Sequence, residues 1–289
     1  MSHAPAADGA ALHYQVRGSG APLLLLAGQS NSHRWWEPVL DRFAAAFTTV
    51  VMDWRGTGES DRPDSDTYST ENFARDAVAV LDHAGIGRAH VYGTSMGGRV
   101  AQWLAADHPG RVDRLVLGCT SPGAPHGIER GPAVREALAD PDPAVSRAAL
   151  LDLMYTPAYV AACPGPFHTL GDPAMPAYAR RRHLRASARH DAWDALPRIT
   201  APTLVVHGGD DDFNPTANAP LLAERIPDAR LLLVPGGRHA YFEEFADEAT
   251  PPVLDFLNAQ TRTACRAVSP LPTEEPTRCP PPMSGSNNS

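Results

Sequence analysis

The 289-residue chain has no lysine; all 25 of its basic residues are arginine. That excludes Schiff-base chemistry and the lysine of a phosphate-binding P-loop. Positive charge is also short overall. The net charge of −8 gives no electrostatic ground for a nucleic-acid partner. No apolar run approaches the ~18 residues of a membrane span, so no membrane partner is expected. Residues 1–20 lack a basic stretch followed by an apolar one, so no secretory leader is expected and the expected location is cytoplasmic. Cysteine is scarce. Cys119, Cys163, Cys265 and Cys279 show no metal-ligand spacing, and no metal site is expected. They read as free thiols, with Cys119 in the core at the end of an apolar strand.

What is present suits a globular protein with a sizeable core, at 43% hydrophobic and 20% charged residues. Short apolar runs alternate with longer amphipathic ones. Strands are expected over 12–16, 22–27, 48–53, 89–92, 114–118, 203–207 and 230–234. Helices are expected over 34–47, 70–84, 99–107, 217–225 and 240–257, with Ser69 and Thr70 as plausible caps of the second. This order predicts an α/β fold, a doubly wound and mostly parallel sheet with helices on both faces. The rhythm breaks between 121 and 196, where helices at 144–154 and 177–188 appear without strands. The reading is a core at 1–123 and 197–261, a helical cap insertion at 124–196 and a disordered tail at 262–289.

One run stands at a strand-to-helix junction: Gly93-Thr94-Ser95-Met96-Gly97. A sharp turn there needs small neighbours, and it lifts the serine hydroxyl to the C-terminal edge of the sheet, where ligands bind. A serine needs a base to take its proton. Of the twelve histidines, His239 follows the last expected strand and so reaches the same edge. His207 ends a strand but precedes Gly208-Gly209 and reads as support for that turn. The acid that orients the imidazole is expected among Asp210, Asp211 and Asp212, since no carboxylate lies in the turn 119–123. Oxyanion donors are expected at the backbone N–H of Met96 and, in the loop after the leucine strand, of Gln29.

These residues give the chain a resemblance to the α/β-hydrolase superfamily over roughly 12–257, apart from the cap. The run Leu23 to Gly28 resembles the strand entering the oxyanion loop, with Ala27 where the family usually has histidine. The run Asp53 to Ser60 resembles the D-x-R-G-x-G-x-S turn, and Gly93 to Gly98 the nucleophile elbow. His207-Gly208-Gly209-Asp210-Asp211 with Pro215, then Gly237-Arg238-His239, resemble the acid and histidine segments. The family's spacing puts the acid on Asp211. The resemblance implies a Ser95–His239–Asp211 triad acting without a cofactor on a small-molecule carboxylic ester or lactone, in the style of enol-lactonases and carboxylesterases. Carbon–carbon bond hydrolases, perhydrolases, and lyases, cyclases or acyltransferases use the same machinery. Serine rather than aspartate at the elbow argues against the epoxide hydrolase and dehalogenase branches. Trp35, Trp36, Met154, Tyr155, Tyr159, Phe167 and Trp193 are the candidate substrate-binding residues. The cap arginines Arg180, Arg181, Arg182 and Arg185 would meet an acidic substrate or lie on an exposed helix face.

Overall fold

The structure, a computed structural model, describes residues 2–259. The tail expected at 262–289, with Cys265 and Cys279, lies outside them. Eight strands form one sheet: β1 (Ser2–Pro5), β2 (Ala11–Arg17), β3 (Ala21–Leu26), β4 (Phe47–Met52), β5 (Ala89–Thr94), β6 (Val112–Gly118), β7 (Thr203–Gly208) and β8 (Ala229–Val234). Their order is β1-β2-β4-β3-β5-β6-β7-β8. The first two pairings are antiparallel and the rest parallel.

The four leucines of β3 show why helices cover both faces. All four are fully buried, and successive side chains point to opposite sides. Leu24 and Leu26 join the cluster around α2 (Thr70–His83) and α3 (Met96–Asp107). Leu23 and Leu25 join the cluster around α1 (Leu40–Ala44), with Phe43, Val253 and Leu257. Each such side chain contributes roughly 1.5–3 kcal/mol through burial, so both faces must be covered. Ser69 starts α2 by accepting a hydrogen bond from the Asn72 N–H at 3.2 Å.

Between β6 and β7 the chain adds α4 (Pro132–Leu138), α5 (Pro143–Met154), α6 (Pro157–Ala162) and α7 (Ala177–Ala188), and no strand. The first three open on proline, whose missing N–H costs nothing in a first turn. A single bridge pair, Gly123 with Asp191, closes the excursion. After β7 come α8 (Asn218–Arg225), then β8, α9 (Tyr241–Glu244) and α10 (Ala246–Asn258). No helix among the described residues is long and apolar enough to cross a membrane.

Three elements differ from the sequence reading. The helix expected at 34–47 is a 3₁₀ turn, His33–Trp36, followed by the five-residue α1. Pro38 stands between them and has no N–H to continue the hydrogen-bond ladder from the 3₁₀ turn. The helix expected at 240–257 breaks at Phe245, which sits at φ −106° and ψ 38° between α9 and α10. The edge strand β1 carries no apolar alternation, because only Ala4 of its four residues is buried.

Candidate functional site

Ser95 sits between β5 and α3 at φ 56° and ψ −122°, a left-handed backbone that a non-glycine residue adopts only under constraint. The constraint is visible. Its N–H donates to the Gly118 carbonyl at 2.9 Å, and its carbonyl accepts from Thr120 Oγ1 at 2.8 Å. The flanking glycines are required by space. A Cβ on Gly93 would strike the backbone of Gly97, and one on Gly97 would strike the backbone of Leu26. Met96 is the first residue of α3, so its N–H has no preceding turn to bond to.

Asp211 and His239, expected from sequence as acid and base, lie in the turns after β7 and β8. His239 Nδ1 donates to Asp211 Oδ2 at 2.8 Å, and both side chains are inaccessible. His239 Nε2 is buried with no hydrogen-bond partner among the described residues. Asp211 is held further by the Asn214 N–H on Oδ1 at 2.9 Å and by His207 Nε2, 3.2 Å from Oδ2. Burial alone would raise its carboxyl, but the charge of His239 and the hydrogen bonds from His207 and His239 hold it well below the usual range. His207 also donates to the Asn214 carbonyl at 2.8 Å, bracing the turn. Asn214 Nδ2 in turn donates to the Cys119 carbonyl at 2.6 Å. The Asp211 turn is thus tied to Cys119 and the Ser95 turn to Thr120, adjacent residues just after β6. Asp210 and Asp212, the other two carboxylates of the run, are exposed.

The loop carrying Gln29 is pinned from α7 and the segment before it. Ser30, at φ 60°, gives its N–H to His183 Nδ1 at 3.3 Å, and its carbonyl accepts the Asp172 N–H at 2.7 Å. Asn31 Oδ1 accepts the Gly171 N–H at 2.9 Å. His183 Nε2 donates to the Arg55 carbonyl at 2.9 Å, which links this loop to the turn Asp53 to Ser60. Asp53 organises that turn. It accepts from His13 Nδ1 and His33 Nδ1, each at 2.8 Å, and from the Glu59 N–H at 2.9 Å. Burial would raise its carboxyl, and these donors lower it far more. Among the described residues His13, His33 and Asp53 are the one group with ligand atoms close enough to share a metal ion. The Nδ1 atoms of both histidines already donate to the carboxylate, so the geometry is that of a hydrogen-bond network.

A cavity of about 300 Å³ includes Ser95 in its wall. Gln29, Trp35 and Met154, named from sequence, line it too. Trp35 is fixed by a bond from Nε1 to Thr94 Oγ1 at 2.8 Å and by stacking on Phe242 at 5.3 Å. The other named aromatics lie elsewhere. Trp36 is in the core against Tyr92 and Phe43. Tyr155 bonds to Thr169 and Glu243, stacks on Tyr159 and packs at a tilt against Phe167, and none of the three lines the cavity. Trp193 stacks on His126 at 4.4 Å. The wall is completed by residues that sequence reasoning did not name, chiefly Phe213, Arg130 and leucines of α4, α5 and α7. Phe213 follows the acid run directly, and its ring packs on His239 at 4.6 Å. Its place in the chain was a usable signal; the leucines gave none.

The family described as alpha/beta hydrolase fold matches residues 21–246. A putative carbamate hydrolase RutD from Azorhizobium caulinodans is 32% identical over 267 residues, covering 89% of this chain and 98% of its own. A non-heme haloperoxidase from Rhodococcus erythropolis is 29% identical, over 90% of this chain and all of its own. The solved enol-lactonase of Burkholderia xenovorans is similar with a TM-score of 0.74 at 28% identity, covering 88% of this chain and 99% of the other. The sheet order, the strained serine between β5 and α3, and a family match spanning β3 to α10 agree: this chain belongs to the alpha/beta hydrolase fold family.

Proposed function

We propose that the protein is a serine hydrolase of carboxylic esters or lactones, with Ser95 as nucleophile, His239 as base and Asp211 as its orienting acid. One observation carries this reading. The buried bond from His239 Nδ1 to Asp211 fixes the imidazole tautomer, and Nε2 is left without a partner in a buried setting. Nε2 takes the Ser95 proton as the oxygen attacks the substrate carbonyl. The imidazolium that forms is stabilised by the Asp211 charge. The N–H groups of Met96 and Gln29 bind the oxyanion. The protonated imidazole then delivers its proton to the leaving oxygen, and water, deprotonated by the same nitrogen, releases the acid from Ser95. No step requires a metal or cofactor. In this reading residues 124–196 form a cap that shields the acyl-enzyme, since they supply much of the cavity wall.

A carbamate differs from an ester only in bearing nitrogen on the attacked carbonyl, so the same steps apply to it. The 32% identity to a putative carbamate hydrolase makes that the second reading. A fluorophosphonate probe tests the nucleophile. Stoichiometric labelling of Ser95 in the folded protein, lost in Ser95→Ala, is expected; an unlabelled Ser95 overturns the proposal. A screen of p-nitrophenyl esters, small lactones and aryl carbamates separates the two readings by kcat/KM.

A further inference from the structure

The cavity wall at Ser95 contains two guanidinium groups, Arg130 and Arg180, and no carboxylate. In a chain of net charge −8 that is a local reversal of sign. Neither arginine has a carboxylate within ion-pair distance among the described residues, although eight other arginines do. Among the described residues the Arg180 side chain makes one bond, from Nη2 to the Asp172 carbonyl at 3.3 Å. Arg130 lies over the Phe213 ring at 4.0 Å, and that ring packs on His239. Burial pulls Arg130 below its ordinary value, opposed only in part by exposed Glu129 and by Asp211 behind the imidazole. The rest of the wall is largely apolar, with Trp35, Leu138, Leu150, Met154, Leu170 and Leu184.

Resting on the hydrolase reading above, we propose that the substrate carries a carboxylate apart from the bond that is cleaved, held by Arg130 with Arg180. The guanidinium fork matches a carboxylate bidentately and is weakly hydrated, so half-buried Arg130 suits an anion, with exposed Arg180 beside Gly171 of the same wall. The leucines would surround a short aliphatic segment between that anion and the carbonyl at Ser95. At about 300 Å³ the cavity is at the small end for ligand sites, which favours a monoester of a short dicarboxylic acid or a carboxylate-bearing lactone.

Two p-nitrophenyl esters of equal length provide the test, the monoester of adipate and the ester of hexanoate, which differ in a terminal carboxylate against methyl. The expected kcat/KM favours the adipate by about tenfold or more, and increasingly at low salt. In Arg130→Gln and Arg180→Gln, checked for unchanged melting temperature, the ratio falls towards one. A ratio near one in the unaltered protein, or one that both variants leave alone, overturns the inference. A second readout needs no turnover. In Ser95→Ala protein, hexanoate should quench Trp35 fluorescence at lower concentration than hexanamide, and Arg130→Gln should remove the difference. Anion binding that Arg130→Gln removes, without cleavage of either ester, would sink the hydrolase reading and leave only the anion site at Arg130 standing. Cleavage of both esters without anion preference would do the reverse.

Discussion

Asp211 and His239 meet at 2.8 Å with neither side chain accessible, while Asp212, one residue along, is exposed. A single-residue step in the chain thus separates a carboxylate held ionised by its neighbours from one in water. Asp211→Asn should lower kcat by about 10⁴, because the amide presents the wrong partner to Nδ1. Asp212→Asn should leave kcat within about twofold. Steady-state kinetics on any accepted ester decides it; equal losses would refute the assignment of the acid.

The elbow makes a stability prediction. Gly98 faces Thr120, whose Cβ would lie 2.6 Å from an added methyl, and Thr120 is the residue that holds the Ser95 carbonyl. Gly98→Ala should cost about 1–3 kcal/mol by overpacking. It should also lower kcat by loosening the elbow. Urea unfolding followed by circular dichroism reads the first effect; an unchanged midpoint would show that the turn tolerates the methyl.

The two adjacent tryptophans should separate cleanly. Trp36 is fully buried among Phe43, Tyr92 and Phe242 and is absent from the cavity wall, whereas Trp35 is part of it. Trp36→Leu should destabilise by roughly 2–4 kcal/mol and leave the order of preference among ester chain lengths as it was. Trp35→Leu should shift that order. A chain-length series measured on both variants checks this, and a matching shift in Trp36→Leu would contradict it.

Acid stability should track His183. Burial lowers its imidazole to about 4, against 6.5 in an ordinary setting, and the nearby Arg55 charge acts in the same direction. His190, also buried, is pushed down too, by burial and by Arg99. Between these values the unfolded chain binds protons that the folded one does not. Their contribution is complete above pH 6.5 and declines as pH falls towards 4, by on the order of 3 kcal/mol for His183. His183→Gln, which keeps a donor and an acceptor but does not titrate, should flatten that slope. Urea midpoints between pH 7 and pH 4.5 give the comparison; an identical slope in the variant would assign acid sensitivity to other groups.

What could be read without coordinates was local. The leucines of β3, the capped start of α2 and the glycine-spaced run around Ser95 each follow from periodicity or from steric demand within a few residues. The apolar period at 34–47 is local too, but it spans Pro38, where the chain breaks into a 3₁₀ turn and α1. Strand β8 shows the limit from the other side, since Leu231 and Leu233 are apolar yet 41% and 44% exposed at the sheet edge.

The sequence by itself determined the alternating strands and helices and the small-residue turn that strains Ser95. It also determined the chain order that brings an acid and then a histidine to one edge of the sheet, because these depend on local sterics and on the two-residue period of a strand. Only the tertiary structure decided the wall of the cavity. Leu138, Leu150 and Leu184 read like any apolar positions of an amphipathic helix, and Arg130 like any polar residue of a loop. Where α4, α5 and α7 come to rest on the sheet edge turns them towards Ser95. For α7 that placement is fixed by contacts more than a hundred positions apart, such as the Ser30 N–H with His183 and the Gly171 N–H with Asn31, and for α5 by the His239 and Ala240 N–H groups on the Leu153 and Met154 carbonyls.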